Sequence, residues 1–201
     1  RGVSTTALPA LLDSSEGEAA WHGRTRAVAR LRACARSSGV RALASGVYSI
    51  TGGLGGLGLR ASAMLMESGA SGMVLASRSG RVGGNAQELE DLLRSRRSAF
   101  RTVAGDTADA CDANAVLGLP LIGVLHAAGV GDKGLLVELE AHRIQWMYAP
   151  KAFGARHVLS ATSGAQLEAR MAFSSVGSGL GNVGQGNYAA GNASLDAQAV
   201  S

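Results

Sequence analysis

The chain has 201 residues, of which 46% are hydrophobic and 17% charged, with 29 glycines and a formal net charge of +4. This length provides for one hydrophobic core, and the alternation of strand-like and helix-like apolar runs is typical of an α/β domain. The apolar runs are much shorter than the roughly 20 residues that a membrane helix needs, which excludes a membrane span in this sequence.

Residues 1–45 differ in composition from the rest of the chain. They begin with a low-complexity Ser/Thr/Ala stretch that could be a linker. The segment from Trp21 to Arg41 then contains six arginines and no acidic residue. It predicts a basic helix, which we interpret as a solvated helix rather than a nucleic-acid patch or a docking face for an acidic carrier protein. Because no nucleic-acid module accompanies it, no nucleic-acid partner is expected.

Two features of the sequence indicate the cellular compartment of the protein: its cysteines and its first residue. Cys34 and Cys111 lack metal-binding spacing, so we expect reduced thiols, no metal, and an intracellular, by default cytoplasmic, protein. Arg1 in place of an initiator methionine indicates a fragment. A lost organellar targeting segment therefore stays open.

A glycine-rich turn follows the first predicted strand, residues 47–50. Its sequence, Thr51-Gly52-Gly53-Leu54-Gly55-Gly56-Leu57-Gly58, satisfies the fingerprint G-x-G-x-x-G and precedes a predicted helix from Leu59 to Glu67. Glycines in this setting let the backbone approach a pyrophosphate at the helix N-terminus. The predicted cofactor residues of the turn are Thr51, Gly52, Gly53, Gly55, Gly56, Leu57 and Gly58.

The predicted second strand, residues 73–76, ends at Ser77 and Arg78, twenty residues beyond Gly58. An acidic residue there would bind the adenosine ribose of NAD, whereas an arginine can pair with the 2′-phosphate of NADP. The sequence therefore predicts NADPH, with Ser77 as a second phosphate contact. A third strand is predicted at residues 100–103.

Three polar residues near the C-terminus suggest acid catalysis. Ser175 follows a predicted buried strand, residues 171–174, and a glycine-rich connection leads to Tyr188 and Asn192, which are four apart on one predicted helix face. A tyrosine donates a proton poorly at neutral pH unless a cation stabilises the phenolate. Lys151, one of two lysines among 19 basic residues, could be that cation. Taken singly, each residue could instead be a turn or packing residue.

Together, the segments YSITGGLGGLG, VLASRSG, GVLHAAGV, APKAFGA and FSSVGSGLGNVGQGNYAAGNASLDAQA resemble the ketoreductase domain of modular type I polyketide synthases, in the short-chain dehydrogenase/reductase superfamily. Short-chain reductases generally place the lysine four residues after the tyrosine. Here Asn192 has that position and Lys151 lies 24 residues before Ser175, as in polyketide and animal fatty acid synthase ketoreductases.

The resemblance implies a Rossmann-type, doubly wound parallel sheet with helices on both faces, truncated at the C-terminus because the last strands and the substrate lid would follow Ser201. Residues 46–201 would be the NADPH-binding catalytic domain. Residues 1–45 would be a linker or the tail of the structural half of the ketoreductase. The missing strands predict an exposed sheet edge and low stability, and the short stretch from Asp106 to His126 predicts a helix of one or two turns.

The resemblance also implies roles. NADPH would reduce a β-ketoacyl thioester on an acyl carrier protein, within a synthase of several domains. Tyr188 would be the general acid, and Ser175 would donate a hydrogen bond to the carbonyl. Lys151 would lie beside the tyrosine and the nicotinamide ribose, and Asn192 would hold the lysine or a water. Asp106, with Asp112 as its rival, would contact adenine. The remaining cofactor residues would be His126, Ala127, Ala128 and Gly129.

The stereochemical markers of the family are incomplete. Where many ketoreductases read Leu-Asp-Asp, this chain reads Gly131-Asp132-Lys133, and Leu180 has the position of the marker tryptophan. Asp132 and the absent tryptophan favour a D-hydroxy product, while Lys133 indicates altered acyl-chain entry or a solvated loop charge. A fatty acid synthase or free-standing reductase, and a nucleotide-binding structural domain without turnover, stay open as alternatives.

Overall fold

The computed structural model describes residues 20–23, 25–28, 45–82, 91 and 99–199. The chain divides into two compact units, Arg1–Val40 and Arg41–Ser201. In the first unit, β1 (Ala20–His22) and β2 (Thr25–Ala27) form an antiparallel hairpin. The helix predicted from Trp21 is therefore wrong over these residues, because Gly23, with φ of 61°, turns the chain back on itself. The rest of that predicted helix lies outside the described residues.

The second unit is built on a five-stranded parallel sheet in the order β5-β4-β3-β6-β7. In chain order the strands are β3 (Val47–Thr51), β4 (Gly72–Ser77), β5 (Ala99–Ala104), β6 (Gly123–His126) and β7 (Ala169–Ala172). Its helices are α1 (Gly56–Glu67), α2 (Ala110–Leu117), α3 (Ala141–Tyr148), α4 (Gly154–Ala161), α5 (Gly177–Leu180) and α6 (Gly186–Ala199). A 3₁₀ turn spans Leu136–Glu138, and a π-helical turn, Ala149–Phe153, joins α3 to α4.

Hydrophobic side chains are buried on both faces of this sheet. Leu75 and Ala76 are consecutive on β4 and therefore point to opposite faces. Leu75 shares a buried cluster with Leu59 of α1, whereas Ala76 shares another with Val116 of α2 and Val158 of α4. The doubly wound, Rossmann-type fold with helices on both faces is confirmed.

The strand at one edge differs from its prediction. The apolar run that begins at Met171 predicted a buried strand, but β7 spans Ala169–Ala172 and is mostly exposed, with Met171 48% exposed. The reason is its place in the sheet, since among the described strands β7 pairs only with β6. Sequence pattern alone does not tell which strand has a free neighbour position.

The connection between β5 and β6 carries α2, a helix of eight residues, in agreement with the short helix predicted there. The Asp109 side chain caps it by accepting hydrogen bonds from the amides of Cys111 and Asp112. No helix in the described part of the chain is long and apolar enough to cross a membrane. The same residues contain no cluster of three or more potential metal ligands.

Candidate active site

The glycine turn follows β3 and is held together by contacts that only glycine allows. Gly52 has φ of 67°, and a Cβ atom there would lie 2.7 Å from the backbone of Ala127. A Cβ atom on Gly58 would lie 2.5 Å from the Gly52 carbonyl oxygen. At Gly56, by contrast, an added Cβ atom meets nothing within 4 Å, because this residue faces open space. Since α1 begins at Gly56, its positive N-terminal end lies beside that space.

A cleft of about 370 Å³ opens beside this turn. The predicted cofactor residues that line it are Gly52, Gly55, Gly56, Leu57, Gly58, Ser77, Arg78, Asp106, Ala127, Ala128 and Gly129. The cleft is also lined by residues that the sequence did not single out, among them Thr107, Trp146 and Pro150. The open direction at Gly56 and the helix N-terminus fit a dinucleotide pyrophosphate. These residues could therefore hold a nicotinamide dinucleotide.

The structure separates the two candidate adenine contacts. Asp106 lines the cleft, whereas a side-chain oxygen of Asp112 accepts a hydrogen bond of 2.9 Å from the Asp106 amide. Asp112 thus fixes the loop that carries Asp106. At the end of β4, Arg78 is exposed beside Ser77, whose hydroxyl accepts a hydrogen bond of 3.1 Å from the Gly80 amide.

His126 and Thr51 turn inward and lie outside the cleft lining. His126 is 2% exposed, with its Nδ1 atom 2.6 Å from the Thr51 hydroxyl and its Nε2 atom 2.8 Å from the Pro150 carbonyl oxygen. Because a carbonyl only accepts, Nε2 carries the proton and Nδ1 accepts from Thr51. Burial lowers the pKa of His126 to about 4. The neutral imidazole joins the glycine turn to the segment before Lys151. Gly53 also packs inward, where a Cβ atom would lie 2.5 Å from the Ile50 carbonyl oxygen.

A second pocket, of about 500 Å³, adjoins the cleft through Leu57, Ala127, Gly129 and Val130, which line both. It contains the predicted catalytic residues Lys151, Ser175 and Tyr188. Ser175 follows β7 and Tyr188 lies in the first turn of α6. Gly177 packs between them, since a Cβ atom there would lie 3.3 Å from the Ser175 hydroxyl oxygen and 3.9 Å from the Tyr188 ring. A side chain at position 177 would therefore contact both the serine and the tyrosine.

Lys151 enters this pocket from the π-helical turn. It is 5% exposed, and its Nζ atom donates a hydrogen bond of 2.6 Å to the Phe173 carbonyl oxygen. Burial lowers the pKa of Lys151, and the charge of Asp196 partly opposes this shift. A Cβ atom on Gly129 would lie 2.8 Å from the Lys151 Cε atom, so glycine is needed for the lysine to pass.

Asn192 is fully buried on α6, one turn beyond Tyr188. Its side-chain amide donates a hydrogen bond of 2.9 Å to the Tyr188 carbonyl oxygen. Its Oδ1 atom is buried without a hydrogen-bond partner among the described residues. Next to it, Gly191 brings α6 against Lys151, with 3.7 Å from an added Cβ atom to that of the lysine. Asn192 thus hydrogen-bonds to the backbone of its own helix, and the residue before it contacts Lys151.

Comparison with known proteins agrees with this arrangement. The KR domain family matches residues 46–201. The chain belongs to this family. Members are ketoreductases, oxidoreductases that reduce β-keto groups during polyketide assembly with a nicotinamide cofactor.

Relatives of this KR chain are parts of large synthases. It is 39% identical to polyketide synthase GfsB of Streptomyces halstedii, over 78% of this chain and 3% of the synthase. It is 41% identical to a mycocerosic acid synthase-like polyketide synthase of Mycobacterium tuberculosis, over 75% of this chain and 7% of that protein.

Solved structures share the fold of this KR chain. The first ketoreductase of the tylosin polyketide synthase matches with a TM-score of 0.84 and 32% identity, over 96% of this chain and 43% of that one. An A-type ketoreductase from a modular polyketide synthase matches with a TM-score of 0.82 and 34% identity, over 94% of this chain and 42% of that one. The KR chain thus spans less than half the length of these solved ketoreductases.

Proposed function

We propose that this chain is part of an NADPH-dependent ketoreductase that converts a β-ketoacyl thioester on an acyl carrier protein to the β-hydroxyacyl thioester during polyketide synthesis. The observation that carries the proposal is the convergence of Lys151, Ser175 and Tyr188 on one pocket that adjoins the glycine-lined cleft. A reduced nicotinamide in that cleft supplies hydride when bound. The residues of the chain supply the proton and the alignment.

Tyr188 is the proposed general acid. Its phenol lies in the same pocket as the Ser175 hydroxyl, with Gly177 packed between the two side chains. A carbonyl oxygen held by both hydroxyls is stabilised as negative charge develops on it, and the tyrosine then protonates it. Lys151, in the same pocket, provides the positive charge that favours the tyrosine as a proton donor. Asn192 would hold the lysine or a water through its unpartnered oxygen.

The preference for NADPH over NADH is proposed from the end of β4. Arg78 lines the cleft and is exposed, in the position where an acidic residue would select NAD. A guanidinium can form a bidentate pair with the 2′-phosphate, and the hydroxyl of Ser77 lies beside it. Asp106 lines the same cleft and is the proposed adenine contact.

We also propose the domain organisation and partners. Residues 46–201 would be the catalytic domain and residues 1–45 a linker or the tail of the structural half, supported by the start of the family match and by the division into units at Val40. Other domains of the same synthase and an acyl carrier protein would be the partners. Val176 and Leu180, 80% and 71% exposed within five residues of Ser175, offer apolar contact to an acyl chain.

Tyr188→Phe in the full-length protein tests the proposal. With a β-ketoacyl thioester, we expect NADPH oxidation to fall by a factor of about 10² to 10⁴, because general acid catalysis contributes that much. NADPH affinity, measured by titration, should stay unchanged. Tyr148→Phe removes a phenol at the end of α3, outside both pockets, and is the matched control.

Two comparisons complete this test. Carrier-bound substrate should react faster than the free thioester, and NADPH should bind more tightly than NADH. A full-length protein that binds NADPH but turns over neither substrate would instead be a nucleotide-binding structural domain. Equal turnover by Tyr188→Phe and the parent would exclude Tyr188 as the acid.

A further inference from the structure

A carboxylate outside both pockets has each of its oxygens engaged. Asp132 lies in the loop after β6, and its Oδ1 atom accepts hydrogen bonds from Arg143 Nη2 at 2.6 Å and from the Lys133 amide at 2.9 Å. Its Oδ2 atom accepts a hydrogen bond of 2.8 Å from the side-chain amide of Asn187. Its side chain is only 13% exposed. The described hydrogen bonds of Asp132 therefore all go to groups of the protein itself.

The partners of Asp132 lie next to the two residues of the proposed proton transfer. Asn187 is 5% exposed, precedes Tyr188 in α6, and accepts a hydrogen bond of 2.8 Å from the Tyr188 amide on its Oδ1 atom. Arg143 lies on α3, which runs directly into the π-helical turn that carries Lys151. One carboxylate thus connects the helix of the acid with the helix that leads to the lysine.

Two further contacts hold the same loop in place. Arg143 Nη2 also donates to the Lys133 carbonyl oxygen at 2.8 Å, and the Gly134 amide donates to the Gly184 carbonyl oxygen at 2.8 Å, just before α6. The hydrogen bond from Arg143 lowers the pKa of Asp132, and the carboxylate raises the pKa of Arg143. The pair is therefore charged and restrains the loop through charge-assisted hydrogen bonds.

We propose that Asp132 is a positioning residue that sets the place of Tyr188 relative to Lys151, through Asn187 on one side and Arg143 on the other. The inference rests on the proposed ketoreductase function of this site. A displacement of about 1 Å in reacting groups can lower a rate about a hundredfold. Asp132 occupies the position of a stereochemical marker in this family. In this chain its proposed effect is on the placement of Tyr188.

Asp132→Asn in the full-length protein is the first test, because it keeps the size of the side chain but leaves one acceptor oxygen for three donors. With that oxygen on Arg143 and Lys133, the new amide nitrogen faces the amide nitrogen of Asn187. We expect kcat to fall by about tenfold to a hundredfold. NADPH affinity should not change, since Asp132 does not line the cofactor cleft. Adding Asn187→Asp restores a donor facing an acceptor and should recover most of the lost kcat, as a double-mutant cycle measures.

Arg170→Ala is the matched control for lost stability. It removes an arginine that donates to the Thr162 carbonyl oxygen at 2.8 Å, outside both active-site pockets. Its kcat should stay within about twofold of the parent. If Asp132→Asn loses more kcat than Arg170→Ala does, the additional loss reflects the placement of Tyr188.

Amide hydrogen exchange tests the inference without any activity. In Asp132→Asn, exchange should rise at Tyr188 and in the loop 129–135, with no change in the glycine turn 52–58. A variant with unchanged kcat and unchanged exchange at Tyr188 overturns the inference, as does a kcat loss that Asn187→Asp does not rescue. If the parent protein binds NADPH without turnover, the proposed function fails, and the exchange result alone decides whether Asp132 places Tyr188.

Discussion

The cofactor end of the active site is made largely of backbone, whereas the catalytic end is made of side chains from distant parts of the chain. The turn from Gly52 to Gly58 is one continuous segment whose contacts depend on missing Cβ atoms. Lys151, Ser175 and Tyr188 come from the π-helical turn, the loop after β7 and the start of α6. The first end is therefore sensitive to added atoms, and the second to removed or displaced functional groups.

The two ends also differ in how their polar groups are satisfied. At the catalytic end, the buried ammonium of Lys151 donates to a carbonyl oxygen in the pocket. Asn192 lies outside the pocket lining, and its buried Oδ1 atom has no hydrogen-bond partner in the described part of the chain. A buried charge and an unpaired buried acceptor each lower the stability of the folded state. In the cofactor cleft, Gly56 is exposed at the start of α1, so its backbone faces the open cleft without burying a polar side chain.

Replacing the buried cation should have the largest effect of the variants that separate the two ends. Lys151→Met keeps most of the side-chain length but removes the charge beside Tyr188 and leaves the Phe173 carbonyl oxygen without its 2.6 Å donor. We expect kcat at saturating NADPH to fall by about a hundredfold to a thousandfold, within the range for general acid catalysis. Steady-state kinetics measure this.

Arg156→Met is the control for Lys151→Met. Arg156 is an exposed cation on α4, stacked 5.7 Å from the Phe153 ring centre, and it lines neither pocket. Loss of this surface charge should leave kcat within about twofold of the parent. A Lys151→Met protein as active as this control would show that the lysine charge does not assist Tyr188.

The next prediction concerns His126, which joins the two ends through Thr51 and the Pro150 carbonyl oxygen. Its pKa is about 4 in the folded protein and about 6.5 when unfolded. Between these values the unfolded chain binds more protons, so stability falls as the pH falls. The contribution of His126 is complete above about pH 6.5, and about 3 kcal/mol of it is lost by pH 4.

His126→Gln isolates this contribution, because the glutamine amide can still donate to Pro150 but does not titrate. Denaturant unfolding at several pH values should show that the stability difference between parent and variant shrinks from pH 6.5 toward pH 4. Carboxylates titrate in both proteins and cancel in this difference. A difference independent of pH would mean that the imidazole accepts a proton as readily when folded as when unfolded.

The contrast between the cofactor end and the catalytic end explains which features of the fold and the site could be predicted from the sequence. The glycine turn is contiguous, so its motif indicated both the fold and the cleft residues. Thr51 and His126 were predicted to contact the cofactor, but their side chains turn toward each other, and one-dimensional spacing does not fix that direction. The exposed edge strand β7 and the Asp132 contacts to Asn187 and Arg143 depend on tertiary neighbours, which no local motif reports.

Two alanine substitutions in the glycine turn are the smallest and sharpest test of the backbone end. Gly58→Ala places a Cβ atom 2.5 Å from the Gly52 carbonyl oxygen, so the turn must shift, and we expect a loss of about 1–3 kcal/mol in unfolding free energy. Gly56→Ala meets nothing within 4 Å and begins α1, so stability should be unchanged or raised by about 0.4–1 kcal/mol.

NADPH titration separates the two effects. Gly58→Ala should lose cofactor affinity together with stability, because the turn itself is displaced. Gly56→Ala should lose cofactor affinity alone, since its Cβ atom enters the cleft where the backbone would approach the pyrophosphate. If Gly56→Ala binds NADPH as tightly as the parent, the pyrophosphate does not lie against this residue. The helix N-terminus would then not be the anion site. Cofactor binding would depend on side chains such as Arg78, just as catalysis depends on side chains at the other end.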